Sequence, residues 1–529
     1  ANDYGGGTTV QAGVVKGNSV SLRGPIINNA QVEFDQATDG TYAGAMSGIG
    51  ALVKSGSGNL TLTGTSTYTG GTMVSGGTLM GTTTSLRGTV VNNATVVFDQ
   101  ADDGVYIITM SGSGRIVKSG AGVLTLSGVN TYAGGTTVRG GTIAVSSNAN
   151  LGDDAGGLTF DGGGLRFDAG FNLSNARAIV LDAGGGAIDT NGFDTTIGQD
   201  ILGTGKLIKT GGGTLVLGGA NSHGGTVVTG GVVSVGSDAA FGTTGAALAV
   251  GNGATVQALA TFTGNRPVEL LAGGGVFDTN GNTLTLQGAI FGAGGLTKQG
   301  AGTLELARVN TYSGATTVSD GTLVLLGAGS LAASSGVALQ ASGTKLDISG
   351  AAGGRTIQDL SGVADASIVL GANSLTVGTA NNTTFAGVIS GAGGITKQGG
   401  GRLTLSGQSG YGGATTIAAG TLAIVGTGNI AFSSVTVANG ATFDISGSVN
   451  LENLIAALTG DGTVELGGNQ LVLGHTTGVF SGAIVDAGAG PGGSATRGAL
   501  TIIEGSMTLS GTSTYGGVTQ IYQGVTLAL

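Results

Sequence analysis

The sequence predicts an all-β protein whose short strands wind into a stack of coils, a β-solenoid. Three observations support this fold class: a block of about thirty residues that recurs five times, strand-like alternation within each block, and 113 glycines but only 3 prolines among 529 residues. A fixed motif separated by spacers of variable length is typical of solenoids, where insertions add whole coils. We therefore expect one elongated rod with coils of about 20–25 residues.

The fullest copy of the block runs from Gly112 to Ile143 and reads GSGRIVKSGAGVLTLSGVNTYAGGTTVRGGTI. The other copies begin at Gly48, Gly203, Gly292 and Gly391. Each copy has a lysine at the same motif position, and these lysines are separated by 64, 91, 89 and 99 residues. They are Lys54, Lys118, Lys209, Lys298 and Lys397.

The strands of the block are predicted from the alternation of apolar and polar residues. Leu124 and Leu126 flank Thr125, which places the two leucines on one face and the threonine on the other. β-Branched runs such as Thr136–Val138 suit a pleated surface, and the glycine pairs between runs permit sharp turns. No sustained helical periodicity is present. We expect helix to be almost absent.

Composition limits the function classes. The hydrophobic fraction of 40% predicts a buried core, and only 9% of residues are charged, with a net charge of −10. No run of lysine or arginine is available to neutralise phosphates, so nucleic acid is excluded as a partner. The chain has no cysteine and no apolar stretch long enough to cross a membrane as a helix.

Residues 1–529 are predicted to form a single β-helix in three segments, the first two of which have different styles of spacer. Residues 1–143 contain tandem near duplicates, in which residues 21–79 resemble residues 85–143. Residues 144–329 carry spacers with an Asp-Thr-Asn-Gly segment, a turn sequence. Residues 330–529 form more divergent coils, with a possible projecting loop at 485–498. Partial motifs near both ends indicate a piece of a longer polypeptide.

The repeated block resembles the passenger-associated transport repeat of bacterial autotransporters, the type V secretion proteins. Five good copies and two partial ones cover about a third of the chain. The resemblance implies a right-handed parallel β-helix at the cell surface or outside the cell, exported across the outer membrane by a C-terminal translocator barrel that is absent from this chain. Two departures are visible: His223 replaces tyrosine in the third copy, and Thr501 stands at the lysine position of the last.

No catalytic or metal-binding constellation is recognisable. His223 and His475 are the only histidines, and we interpret them as surface or turn residues, with His223 at a substituted corner. Serine-protease motifs are missing. Three acidic pairs lie beside glycine-rich turns and are interpreted as solvated turn residues: Asp35 with Asp39, Asp102 with Asp103, and Asp153 with Asp154.

The repeated side chains are predicted to be structural. Each tyrosine should close a local corner with its ring buried and its hydroxyl in water, and each lysine is either structural or exposed with its stem along the coil. The residues to which we assign this role are Lys54, Tyr68, Lys118, Leu124, Leu126, Tyr132, Lys209, Lys298, Tyr312, Lys397 and Tyr411. No cofactor and no metal is expected.

The main functional hypothesis is a non-enzymatic stalk for adhesion or host interaction, whose repeats assist export and folding. Its partner would be a host or cell-surface protein or glycan of unknown identity. A second hypothesis is a toxin or immune-evasion passenger that binds a host protein through the 485–498 loop. The third, a β-helical glycan-processing enzyme, needs an acid–base cluster that the sequence does not assemble.

Overall fold

A computed structural model of the chain describes residues 6–450, 452–486 and 497–529. Two compact units are present, Ala1–Ala249 and Val250–Leu529. Within the described residues the strands pair in parallel, and the only helices are two single-turn 3-10 helices, Asn148–Leu151 and Asp238–Phe241. The prediction of an all-β solenoid with almost no helix is confirmed. The sequence boundaries at residues 143 and 329 do not coincide with this division and stay predictions.

In the first unit, the described strands stack into five columns, each of them a parallel sheet or part of one. The strands, grouped by the column in which they pair, are Thr8–Val10, Ile26–Asn28 and Met46–Ser47; Val14–Gly17, Gln31–Asp35, Ala51–Ser55, Thr72–Val74, Val90–Asn92 and Met110–Ser111; Gly40–Tyr42, Asn59–Leu62, Thr78–Gly81, Thr95–Asp99, Arg115–Ser119, Thr136–Val138, Leu158–Phe160, Ile179–Leu181 and Ile201–Gly203; Gly104–Tyr106, Val123–Leu126, Thr142–Val145, Gly164–Phe167, Gly186–Asp189, Leu207–Thr210 and Thr226–Val228; and Thr195–Ile197, Thr214–Leu217 and Val232–Val235. The strand Leu248–Val250 lies where the two units divide.

The second unit is built in the same way. Its strands, again grouped by pairing, are Ala254–Ala258, Gly275–Asp278, Leu296–Gln299, Thr316–Val318, Gly336–Leu339, Asp359–Gly362, Thr383–Phe385, Arg402–Leu405, Thr421–Ile424, Thr442–Asp444, Thr463–Glu465 and Ala483–Val485; Phe262–Gly264, Thr283–Leu286, Thr303–Leu306, Thr322–Leu325, Lys345–Asp347, Ser367–Val369, Val388–Gly391 and Gly410–Tyr411; Val268–Leu270 and Ile290–Gly292; Arg355–Ile357, Leu375–Val377, Ile395–Lys397, Thr415–Ile417, Ser434–Val437, Ala457–Gly460, Thr476–Phe480, Gly505–Leu509 and Thr526–Ala528; and Glu452–Ile455, Gln470–Leu473, Ala499–Ile502 and Thr519–Ile521.

The strand register gives the length of each coil. Leu124 pairs with Ile143, and Leu165 pairs with Ile188, so these coils contain 19 and 23 residues. The pair Val14 and Gln31 closes a coil of only 17 residues. Coil length varies because the strands stay in register while the corners between them differ in length. The expected coil length of 20–25 residues is therefore correct for many coils, but the shortest coils are shorter than expected.

The core lies inside the coils, where one face of every strand points. Leu124 and Leu126 are fully buried, whereas Thr125 between them is half-buried on the outer face, as the alternation predicts. Burying a leucine side chain contributes roughly 1.5–3 kcal/mol relative to leaving it exposed. Parallel pairing places similar side chains above one another in successive coils, so the core is narrow and continuous along each unit.

The Asp-Thr-Asn-Gly segments form turns, as predicted. Asn191 and Asn280 have φ angles of 49° and 48°, in the left-handed region that asparagine tolerates better than most residues. The Asp189 carboxylate accepts a hydrogen bond from the Asn191 N–H at 2.9 Å and closes its turn. Among the residues that the structure describes, no helix is long and apolar enough to cross a membrane.

Candidate functional site

Each copy of the repeated block spans two successive coils and pairs with itself. In the second copy the lysine strand Arg115–Ser119 lies beside Thr136–Val138, and Val123–Leu126 lies beside Thr142–Val145. The other four copies have the same two pairings. One copy therefore contains both halves of two parallel strand pairs.

The five motif lysines are buried, with at most 1% of each residue exposed. The sequence left open whether these lysines are structural or exposed, and the exposed alternative is wrong. Lys54 Nζ donates hydrogen bonds to the carbonyl oxygens of Ser55, Gly56 and Gly76, at 2.7, 2.9 and 3.0 Å. The first two carbonyls belong to the turn after the lysine, and the third belongs to the next coil. The ammonium group thus joins two coils.

The same three-carbonyl arrangement recurs in the other copies. The acceptors are the carbonyls of Ser119, Gly120 and Gly140 for Lys118; Thr210, Gly211 and Gly230 for Lys209; Gln299, Gly300 and Asp320 for Lys298; and Gln398, Gly399 and Ala419 for Lys397. Burial lowers the pKa of all five lysines, and lowers that of Lys209 and Lys298 to about 8. All three N–H donors of each ammonium group are hydrogen-bonded. These bonds offset much of the free-energy cost of removing the charge from water.

The motif tyrosines also lie inside the coils. Tyr68, Tyr132, Tyr312 and Tyr411 are at most 1% exposed. Each hydroxyl is hydrogen-bonded to the threonine four residues later, at 2.6–2.7 Å. The expectation that these hydroxyls remain in water is therefore wrong, because the threonine replaces solvent. Burial raises the pKa of Tyr132 and Tyr411 to about 12.

His223 occupies the tyrosine position of the third copy and is fully buried. Its Nε2 lies 2.9 Å from the Thr226 Oγ1, in place of the tyrosine hydroxyl. It is a corner residue, as predicted, but not a surface residue. In the last copy, Leu500 and Ile502 point into the core, while Thr501 lies on the opposite side and bonds to the Gln470 side chain. Ile502, not Thr501, therefore takes the inward position that lysine holds elsewhere.

The copies do not share one face of their unit. In the first unit, Lys54, Lys118 and Lys209 lie in three different sheets. In the second unit, Lys298 and Lys397 also lie in different sheets. A stripe of repeated side chains along one face, which a linear ligand would need, is not formed by these residues.

A family model described as the passenger-associated transport repeat matches seven segments of the chain. They are residues 1–16, 52–80, 116–145, 207–235, 296–325, 395–424 and 504–529. These segments coincide with the five full copies and the two partial ones. The chain thus carries the repeats of autotransporter passengers, and it is called the passenger below. It is exported across the outer membrane to the cell surface.

A curated relative extends this result. The passenger is 34% identical over 180 residues to the "Adhesin BmaC autotransporter" of Brucella suis biovar 1 (strain 1330). The match covers 33% of the passenger and 5% of the relative, so the passenger spans only a small part of the length of that protein. No solved structure matches the passenger.

The acidic pairs of the passenger lie at turns, as the sequence indicates, except for Asp35, which ends the strand Gln31–Asp35 and forms an ion pair with Lys16 at 3.1 Å. Asp102 and Asp103 are exposed, and the Asp103 carboxylate accepts a hydrogen bond from the Val123 N–H at 2.8 Å. Asp39 accepts the equivalent bond from Asn59. Within the described part of the chain, no group of three or more potential ligands is placed to hold a metal ion. His475 is exposed, 3.3 Å from the Glu504 carboxylate.

One acidic pair was missed from the sequence. Asp444 and Glu465 are register partners on adjacent strands, and the Arg402 guanidinium donates to the Asp444 carboxylate at 2.6 Å. Burial raises the pKa of Glu465, and the neighbouring Asp444 raises it further, while Arg402 opposes both. Because 42 residues separate Arg402 from Asp444, only knowledge of the coil register could have brought these residues together.

The projecting loop predicted at 485–498 was the sequence candidate for a ligand site. Residues 487–496 of it lie outside the described residues. Val485 ends a strand that pairs with Thr463–Glu465, and Gly498 precedes the strand Ala499–Ile502. The loop therefore stays a prediction.

Proposed function

We propose that the passenger is a non-enzymatic stalk for adhesion or host interaction, and that its repeated block serves folding during export. One observation supports the second part above all. The side chains that define the block, including Lys118, Leu124 and Tyr132, are buried and join two coils. A partner at the surface cannot touch them. Their repetition is explained by assembly of the stack and not by recognition.

The geometry offers a route for folding at the surface. Each copy pairs with itself over two coils, so it can form as soon as about thirty residues have emerged, without waiting for distant parts of the chain. The open edge of a formed coil exposes backbone donors and acceptors, which are a template for the next coil. Because the chain has no cysteine, it cannot form disulfide cross-links in transit.

The adhesive role is supported by the relative, which is itself described as an adhesin. We infer that the partner is a host or cell-surface protein or glycan, bound by outward side chains and corners. We further infer that a C-terminal translocator barrel of the same polypeptide carries out the export.

Leu124→Asp in the full-length parent tests the folding role. A buried carboxylate in the core should prevent the second copy from closing, so we expect a large loss of surface-exposed passenger. Thr125→Asp is the matched control, because it places the same charge one residue away on the outer face and should be exported normally. Surface protein is measured by protease accessibility on intact cells, and host-cell binding is normalised to the displayed amount. Normal export of Leu124→Asp with loss of binding would assign recognition to the block instead.

A further inference from the structure

Two surface grooves of the first unit occupy equivalent places in the tandem duplicates. The first has a volume of about 380 Å³ and includes Leu22, Arg23 and Tyr42 in its lining. The second has a volume of about 320 Å³ and includes Leu86, Arg87 and Tyr106. Each member of the second set lies 64 residues after its counterpart in the first. Both volumes are at the lower end of the range for ligand sites.

Both grooves are built from a corner of one coil and a strand of the next. The Tyr42 hydroxyl donates to the Gly24 carbonyl at 2.7 Å, and the Tyr106 hydroxyl donates to the Gly88 carbonyl at 2.6 Å. The glycine after each arginine has a φ near 67°, at 68° for Gly24 and 66° for Gly88. This left-handed turn directs the Leu-Arg pair, so that the leucine is buried and the arginine is exposed at the groove.

The two grooves differ in what surrounds the arginine. In the first groove, Arg23 Nε donates to the Val20 carbonyl at 3.0 Å, and Asp39 also lines the groove. In the second, no side-chain partner of the Arg87 guanidinium is found among the described residues. Asp103, the counterpart of Asp39, lines a neighbouring pocket that shares Thr83 and does not line this groove. Aliphatic side chains flank it instead: Val105 is 59% exposed and Ile107 is 71% exposed.

We propose that the second groove binds an acidic peptide segment of a partner protein, with a carboxylate on Arg87 and an apolar side chain against Val105 and Ile107. This proposal rests on the proposed adhesive function and names a site for it. The charge of the groove is complementary to a carboxylate, since the lining contains one cation and no anion. The first groove should bind the same segment more weakly, because Asp39 lines it directly and Arg23 already donates to a backbone carbonyl.

A saccharide fits the groove less well. Sugar rings are commonly held by the exposed face of an aromatic ring, but Tyr68 and Tyr106 are only 1% and 3% exposed and present no such face. The exposed lining is aliphatic with threonine hydroxyls from Thr67, Thr69 and Thr83. This combination suits an apolar side chain beside a peptide backbone.

Fluorescence anisotropy with purified passenger tests the site. The probe is the labelled peptide Ac-Val-Glu-Ile-Glu-Val-amide, with the Gln-for-Glu peptide and a galacturonic acid oligomer as comparison ligands. We expect Arg87→Gln and Ile107→Ser each to weaken binding of the acidic peptide about tenfold. Both positions are exposed, so the fold should be retained, as circular dichroism will check. Arg139→Gln, which removes one exposed arginine outside the groove, is the matched control and should bind as the wild type does.

Equal binding of the Glu and Gln peptides, or an equal loss in Arg139→Gln, would overturn the proposal. Preferential binding of the galacturonic acid oligomer would show that the ligand of the groove is an acidic saccharide and not a peptide. Host-cell adhesion of the Arg87→Gln strain separates this inference from the adhesive function. Loss of peptide binding with unchanged adhesion leaves the groove assignment standing and moves adhesion elsewhere. Loss of adhesion by cells that display Arg87→Gln normally, together with loss of peptide binding, supports both.

Discussion

At the scale of the residue, the most consequential feature of this passenger is the lysine inside each repeat. A lysine is rarely buried without a carboxylate, because the charge must be compensated. Here backbone carbonyls of two coils take that role, since tight turns leave them pointing inward. Lysine suits the position because its long stem crosses the core and its three donors match the three acceptors. An apolar residue, such as Ile502 in the last copy, fills the space without joining the carbonyls.

Each buried lysine with its three carbonyl acceptors is called a lysine cage here. These cages should make the free energy of unfolding depend on pH. Burial lowers the pKa of Lys209 and Lys298 to about 8 in the folded state, against 10.5 as the ordinary value. Between pH 8 and 10.5 the unfolded chain therefore binds more protons than the folded chain, and raising the pH stabilises the fold. From pH 7.5 to 9.5 we expect a gain of about 1–2 kcal/mol per lysine in the free energy of unfolding. Each buried tyrosine opposes this gain by only about 0.2 kcal/mol at pH 9.5, because unfolded tyrosine ionises near pH 10.

Urea unfolding at the two pH values measures this gain. The double variant Lys209→Met with Lys298→Met is the control, since it removes both titrating groups while keeping most of the side-chain volume. Its unfolding midpoint should lie below that of the wild type and should not share the rise with pH. Parallel pH dependence in the two proteins would show that the cages hold their lysines at an ordinary pKa.

At the scale of the element, the turns decide where strands end and which way the next begins. Asn191 and Asn280 are two of four non-glycine residues with positive φ among those described. Both follow an aspartate whose carboxylate bonds to the asparagine N–H. Their conformation is costly for a residue with a branched Cβ, and it sets the direction of the next strand.

Substitution of Asn191 tests this requirement. Asn191→Gly should change the free energy of unfolding by less than about 1 kcal/mol, because glycine adopts positive φ readily. Asn191→Val should lower it by about 1–2 kcal/mol, because a β-branched side chain clashes in the left-handed region. Thermal unfolding of both variants provides the comparison. Equal stability of the two would mean that the turn relaxes to another conformation.

At the scale of the whole molecule, the passenger is a series of parallel coils in which five similar copies of one block keep their repeated residues inside. On the proposed function, this arrangement would separate folding from recognition, since the repeated residues are inside and the corners are free to differ. Stacking of coils also explains why charged residues far apart in sequence can meet. Arg402, Asp444 and Glu465 are brought together by stacking alone.

We expect no hydrolase or lyase activity from the passenger, despite this cluster. Arg402 is bonded to Asp444, which is 4% exposed in its side chain, so the pair is held as an ion pair. Purified passenger incubated with polysaccharides and peptides should show no turnover above a heat-denatured sample. The double variant Asp444→Asn with Glu465→Gln tests whether these two carboxylates are catalytic. Turnover that is present in the wild type and abolished in this variant would identify the cluster as catalytic.

The sequence by itself determined the fold class and the repeat. Apolar alternation in Leu124–Leu126 shows which face is buried, and glycine pairs mark the turns, because both depend on neighbouring residues only. The tertiary structure alone decided what the lysines bond, which sheet each copy occupies, and that Arg87 stands without a carboxylate in a groove beside Ile107. These features depend on the register between coils, and register depends on the lengths of corners whose conformations a one-dimensional pattern does not contain.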